Sequence, residues 1–161
     1  MPRRGEDMAE MPRLDPLPQP ERVLLHDADV CIGCGICELS CSLSHDGGLS
    51  RALALLKLHR NYYRGQWDGS GQFRVDLCRQ CPWPECLYAC PTGALTIDPK
   101  TNARVIEDEV CIGCQRCREA CPYDVIVYDE DLGICRKCDL CGGDPECVRQ
   151  CPASGDGALR Y

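Results

Sequence analysis

Large aromatic side chains are scarce in this chain: one phenylalanine, two tryptophans and six tyrosines among 161 residues. A domain of this length can bury a core, but there is little here to build a conventional one. Long apolar runs are missing too. The run Ala52 to Leu56 falls far short of a bilayer span. Residues 1–22 are polar and proline-rich, with no apolar stretch of the kind a secretory signal carries. Arg3-Arg4 is followed by Gly5-Glu6-Asp7 rather than by apolar residues, which argues against a twin-arginine signal. Basic excess is also lacking. The formal charge is −7, counted without cysteine ionisation, where a nucleic-acid binder shows a basic patch. The expectation is a soluble, cytoplasmic chain with no nucleic-acid partner and no membrane span.

Cysteine is what the chain has in abundance: 17 in 161 residues, about 11%, above the roughly 8–10% that marks a cysteine-built scaffold. Disulfides are the ordinary explanation. The odd count, the missing secretory signal and the reducing cytosol all weigh against them, and dense cytosolic cysteines more often bind metal. Twelve prolines and fifteen glycines make the chain loop-rich, so the cysteines are the candidate framework.

They fall in four groups. Cys31, Cys34, Cys37 and Cys41 are spaced C-x2-C-x2-C-x3-C. Cys78, Cys81, Cys86 and Cys90 are spaced C-x2-C-x4-C-x3-C, with Pro91 next. Cys111, Cys114, Cys117 and Cys121 repeat the first spacing, with Pro122 next. The last group holds five: Cys135, Cys138, Cys141, Cys147 and Cys151, with Pro152 next. Cys135, Cys138 and Cys141 could form a C-x2-C-x2-C run. The reading from Cys138, C-x2-C-x5-C-x3-C, is preferred, because the groups then alternate in type. Cys135 becomes the seventeenth, a small buried hydrophobe beside a cluster.

The spacing has a physical reading. Three cysteines three residues apart can curl around three irons of an iron–sulfur cube. Gly33, Gly35 and Gly113 permit the positive φ and close approach such a loop needs. The fourth cysteine lies further on, over a short helical turn, and in two-cluster bacterial ferredoxins it ligates the other cluster. The following proline suits an extended exit; Ser42 replaces it in the first group. Structural zinc sites use two cysteine pairs separated by a longer loop, a poorer match to three cysteines in seven residues. Sixteen ligands supply four [4Fe–4S] clusters. These add roughly −8 to the formal charge, giving roughly −15. Arg79, Arg116, Arg118, Arg136, Lys137 and Arg149 lie near the ligands and either offset that charge or simply solubilise the surface.

Residues 1–25 read as an extended N-terminal arm, since Pro2, Pro12, Pro16, Pro18 and Pro20 preclude a stable helix. The arm is either a disordered tail or a strap that orders on a partner. Residues 26–161 form the polyferredoxin domain. A hairpin is expected from residues 92–97 and 104–106, a strand at Val125 to Tyr128, and a last strand at Gly157 to Tyr161. Short helices should follow most fourth cysteines, around 38–44, 87–89, 118–120 and 148–150. Leu53 to Leu58 is a strand or a short helix, and Gly65 to Gly71 a loop. Spacing alone leaves open whether the groups pair sequentially or in a nested order.

The segments CIGCGICELSCSLSHDG at 31–47, CRQCPWPECLYACPTGAL at 78–95, CIGCQRCREACP at 111–122 and KCDLCGGDPECVRQCP at 137–152 resemble one family. It comprises the four-cluster iron–sulfur subunits of the dimethyl sulfoxide reductase type. Related small subunits serve hydrogenases, carbon monoxide dehydrogenase and aldehyde oxidoreductases. The short chain looks most like the small electron-transfer subunit of tungsten-containing aldehyde oxidoreductase complexes.

The resemblance implies an α+β fold of two nested bacterial-ferredoxin-like units. The inner unit spans about 76–128, and the outer is made of 26–75 and 129–161. It also implies the ligand sets. Cys31, Cys34 and Cys37 share a cluster with Cys151, and Cys138, Cys141 and Cys147 share one with Cys41. Cys78, Cys81 and Cys86 pair with Cys121, and Cys111, Cys114 and Cys117 with Cys90.

The implied function is an electron conduit with no catalytic residues of its own. Its partner would be a catalytic subunit with a tungsten or molybdenum cofactor, with a flavoprotein NAD-linked subunit and self-association as further possibilities. His26, His45 and His59 are expected to be structural or exposed, with His45 near a cluster. Trp83, Tyr88 and Tyr123 are expected to shield clusters from water.

Overall fold

A computed structural model describes residues 16–61, 73–151 and 157–161. The first part of the arm, the loop at Gly65 to Gly71 and Pro152 lie outside the described residues.

Among the described residues every sheet is a two-stranded antiparallel ribbon. The strands are β1 (Leu25–His26), β2 (Lys57–Arg60), β3 (Phe73–Asp76), β4 (Leu95–Ile97), β5 (Arg104–Ile106), β6 (Val127–Asp129), β7 (Ile134–Arg136) and β8 (Leu159–Arg160). They pair β2 with β3, β4 with β5 and β6 with β7, while β1 pairs with β8 from the far end of the chain. The expected hairpin is β4–β5, with Leu95 opposite Ile106 and Ile97 opposite Arg104. Its turn is held by Asp98, whose carboxylate accepts from the Thr101 amide at 2.9 Å. The stretch from Leu53 resolves as a turn leading into β2, with Ala54, Leu55, Leu56 and Leu58 buried.

Four helices complete the fold: α1 (Ile36–Asp46), α2 (Glu85–Tyr88), α3 (Arg116–Glu119) and α4 (Glu146–Arg149). A 3-10 turn covers Leu140–Gly143. The helices do not follow the fourth cysteines, as the spacing suggested. α2, α3 and α4 end just before Cys90, Cys121 and Cys151, and α1 contains Cys41. Each carries the third cysteine of its group and delivers the fourth one turn, about 5.4 Å, further on.

Packing gives the nested order. α1 of the first group lies on α4 of the last, and α2 of the second lies on α3 of the third. With β1 on β8, the first and fourth groups form one ferredoxin-like unit around the other.

The buried apolar side chains are mostly small or aliphatic, among them Leu24, Leu55, Leu56, Leu77, Val125, Leu140 and Leu159. They are interleaved with Cys37, Cys41, Cys78, Cys138 and Cys147. The described part of the arm lies along its own body rather than free of it. The Leu17 amide donates to the Pro82 carbonyl at 3.2 Å, and the Pro18 carbonyl accepts from Arg104 at 2.6 Å. Leu24 is buried, and Arg22 sits 6.0 Å from the centre of the Tyr161 ring.

Candidate metal centres

The loops that present the cysteines are built on left-handed backbone. Gly33, Gly35 and Gly113 have φ of +67°, +80° and +66°. At Gly113 a side chain is excluded twice over, because a Cβ there would overlap the Gly133 carbonyl oxygen of the β6–β7 turn. Gln80 and Gln115 take positive φ without being glycine, at 50° and 59°. Gln80 is compensated by burial and by bonding: its side chain accepts from the Arg104 amide at 2.8 Å and donates to the Cys138 carbonyl at 3.1 Å.

These loops and the helix ends bring cysteines from distant groups to shared cavities. One is lined by Cys31, Cys34, Cys37 and Cys151. A second is lined by Cys78, Cys81, Cys86 and Cys121. A third is lined by Cys90, Cys111, Cys114 and Cys117, with Cys135 as a fifth thiol. The remaining thiols are close enough to interact: Cys147 has Cys138, Cys41 and Cys141 as neighbours, with Cys37 of the first group next to them.

The helices explain how the cavities connect. Cys37 and Cys41 sit one turn apart on α1 and face different sites. Cys86 with Cys90, Cys117 with Cys121 and Cys147 with Cys151 repeat the arrangement on α2, α3 and α4. Cys78 and Cys138 are close enough to interact, which brings the second and fourth groups together.

Burial sets the thiol chemistry. It pushes Cys37 up to about 12, Cys86 up to about 11 against the pull of Lys137, and Cys117 up to about 12 with Cys135 adding to it. Such thiols are neutral until a metal displaces their protons.

The donor set is all sulfur, which suits iron–sulfur clusters. Two cavities also contain buried polar nitrogens with no partner among the described residues: Nε2 of His26 beside the first quartet, and the donors Nε and Nη2 of Arg104 beside the second cavity. Orphaned buried donors are rare in proteins and call for an acceptor. A group presenting sulfur acceptors in those spaces supplies one, so the residues fit the cluster.

His45 joins the halves of the Cys41 quartet. Its Nδ1 donates to the Cys41 carbonyl at 2.8 Å, and its Nε2 to Asp139 at 3.1 Å. Asp139 first, then Cys141 and Cys41, raise the imidazole well above its ordinary value, so the ring is charged. Asp139 in turn accepts from the Cys141 amide at 2.9 Å. His59 is exposed and paired with Asp76 at 2.7 Å. Tyr123 lines the second cavity, but Trp83 and Tyr88 are 54% and 53% exposed, so water reaches both rings.

Of the expected basic residues, Arg79, Arg116, Arg118 and Arg149 are exposed, Arg136 binds Asp46 and Asp129, and Lys137 is buried. Arg104, only 1% exposed, was not anticipated. Its place in β5 opposite Ile97 was legible, but which way its side chain turns was not. Cys135 is likewise 1% exposed, and its amide donates to Cys111 Sγ at 3.4 Å.

Short hairpins, one-turn helices and clustered thiols define the class: a ferredoxin-like protein made to hold cubane iron–sulfur clusters. The chain belongs to the 4Fe-4S dicluster domain family, whose pattern it matches over residues 70–156, with a 4Fe-4S binding domain at 28–46. It carries four [4Fe–4S] clusters.

It is 38% identical to the polyferredoxin-like subunit of aliphatic sulfonate oxidoreductase from Pyrococcus furiosus, over 87% of this chain and 78% of that one. The B subunit of anaerobic dimethyl sulfoxide reductase from Haemophilus influenzae is 34% identical, over 78% of this chain and 67% of its own. The beta subunit of NADH-dependent phenylglyoxylate dehydrogenase from Aromatoleum evansii is 34% identical, over 84% of this chain but 29% of its own. Among the described residues no helix is long and apolar enough to cross a membrane.

Proposed function

We propose that the chain is a cytoplasmic, non-catalytic electron-transfer subunit that relays single electrons between a catalytic oxidoreductase subunit and an acceptor. The observation that carries this is that each of the four helices places the third cysteine of its group one turn before the fourth, so that thiols from distant groups meet in shared cavities. The sixteen ligands are assigned in four sets: Cys31, Cys34, Cys37, Cys151; Cys41, Cys138, Cys141, Cys147; Cys78, Cys81, Cys86, Cys121; and Cys90, Cys111, Cys114, Cys117. Full cysteine ligation leaves no iron open to a substrate. The inner unit, about 76–128, then holds the last two sets and the outer unit the first two. Clusters so bound supply reversible one-electron chemistry over potentials of roughly −700 to +450 mV.

With these sets the sites form a file with two ends, the Cys31 and Cys111 sets, and Cys34 and Cys114, the exposed ones among the seventeen cysteines, belong to those end sets. Ile32 and Ile112 beside them are 61% and 64% exposed. In this reading each end is a port, with an apolar rim for a redox partner. One partner is the catalytic subunit, of the tungsten or molybdenum aldehyde oxidoreductase class. The other is an acceptor such as a flavoprotein NAD-linked subunit. The relatives support the subunit role, since they are named as parts of oxidoreductases.

Anaerobic purification from the native cell tests it. The expected result is co-elution with a larger subunit containing tungsten or molybdenum, and about 16 iron atoms per copy of this chain. A chain that always elutes alone is a freestanding polyferredoxin. One that is colourless and zinc-loaded is an interaction module.

A further inference from the structure

Arg104 and Lys137 are buried cations, 1% and 4% exposed, and both line the cavity of Cys78, Cys81, Cys86 and Cys121. Lys137 spends its ammonium on the carbonyls of Arg104 and, at 3.2 Å, of Cys138. Arg104 spends only Nη1, on the Pro18 and Asn102 carbonyls at 2.6 and 2.7 Å. Its Nε and Nη2 have no protein partner. A buried guanidinium with unmet donors is costly unless an anion meets it. The remaining charges at this cavity, Arg79 and Glu85, are exposed, opposite in sign and screened by solvent.

The other cavities lack such a pair. The first-group cavity is lined by His26, whose burial lowers its proton affinity. The arginines beside it are Arg60, half-buried and spent on the Gly33 carbonyl at 2.9 Å, and Arg51, which is exposed, so neither is a fully buried cation. The Cys90 cavity has no charged side chain in its lining. At the Cys41 quartet, His45 is matched by Asp139, and Lys137 reaches that quartet as well through Cys138, which leaves Arg104 as the buried cation particular to the Cys78 cavity.

Position in the file sharpens the contrast. An interior site has a negative cluster on either side and little solvent, and both conditions disfavour taking another electron. Two buried cations reverse that, because an added negative charge is stabilised most where positive charge is close and water is excluded.

We infer that Arg104, assisted by Lys137, tunes the cluster at Cys78, Cys81, Cys86 and Cys121 to accept the first electron of the four, by donating the free N–H bonds of its Nε and Nη2 to the sulfurs there. Arg104 is thus a tuning residue, and the site it controls is an electron store inside the relay. One electron enters from the donor partner, rests there, and leaves to the acceptor when a second arrives. The inference rests on the ligand assignment above.

The test is an anaerobic redox titration of the iron-loaded full chain, followed by electron paramagnetic resonance. The variants are Arg104→Gln, Arg104→Lys, Lys137→Gln, Cys78→Ser and Cys121→Ser. Expected first: the earliest signal to appear on reduction is the one that Cys78→Ser removes. Expected second: Arg104→Gln shifts that signal alone by at least tenfold in its reduction equilibrium, 59 mV for one electron, to lower potential. Arg104→Lys restores part of the shift, and Lys137→Gln gives a smaller one, with iron unchanged.

A first signal that survives Cys78→Ser overturns the inference. So does an Arg104→Gln protein whose potentials all stay in place. If Arg104→Gln loses iron, Lys137→Gln decides in the same way: no shift overturns the inference. Failure of the ligand assignment reads differently, with Cys78→Ser and Cys121→Ser removing different signals.

Discussion

Gly113 shows how little freedom a ligand loop has. It sits between Cys111 and Cys114 with φ of +66°, a region that costs an L-residue about 1–2 kcal/mol. The larger obstacle is the Gly133 carbonyl, which occupies the space a Cβ needs. That carbonyl is backbone in the tight β6–β7 turn, whose Gly133 amide is tied to the Asp129 carbonyl at 2.8 Å, so it cannot swing aside. Gly113→Ala should therefore displace the third-group loop and cost the protein one cluster. Iron analysis should fall from about 16 to about 12 atoms per chain while the other three signals persist. Gly47, at the end of α1, has φ of +67° and open space within 4 Å of where a Cβ would sit. Gly47→Ala is thus the control: it carries the conformational penalty without the clash and should keep full iron.

At the scale of elements, the one-turn helix is the functional part. It is short because its task is to place two thiols on neighbouring clusters, and C-x3-C does this in a single turn. The prediction for α1 follows. Cys41→Ser should weaken the signal of the cluster shared with Cys138, Cys141 and Cys147 and leave the first-group signal intact. Resonance spectra that lose the first-group signal instead would contradict the assignment.

The cysteine grouping, the β4–β5 hairpin and the left-handed glycines were legible in the sequence, because each is fixed by residues close together in the chain. The helix limits were misplaced, since a four-residue helix has too few positions to show a period. The β1–β8 pairing and the α1–α4 contact join residues more than a hundred apart, and no local pattern announces them. Arg104 was missed for a related reason. Its significance lies in two nitrogens left without an acceptor, which depend on what surrounds the side chain rather than on its neighbours in sequence.

For the molecule as a whole, the question is what holds eight short strands and four helices together. Isolated hairpins are marginal in water, and one-turn helices do not persist alone. No sheet among the described residues grows beyond two strands, so hydrogen bonding does not link the ribbons to one another. The buried aliphatic residues are few, and five cysteines sit within the main core cluster itself. With the clusters in place, each ties segments far apart in the chain, such as Cys31 with Cys151. Without them, thiols from distant segments line shared cavities with nothing to tie those segments together. Metal binding then supplies the folding free energy. Removing iron anaerobically with a chelator should abolish near-ultraviolet circular dichroism and most far-ultraviolet signal. It should also open the chain to protease at the rate of an unfolded polypeptide. Restoring iron and sulfide should recover both spectra. A cooperative thermal transition in the iron-free chain would show that the peptide folds by itself, and the clusters would then be passengers in the core rather than its substance.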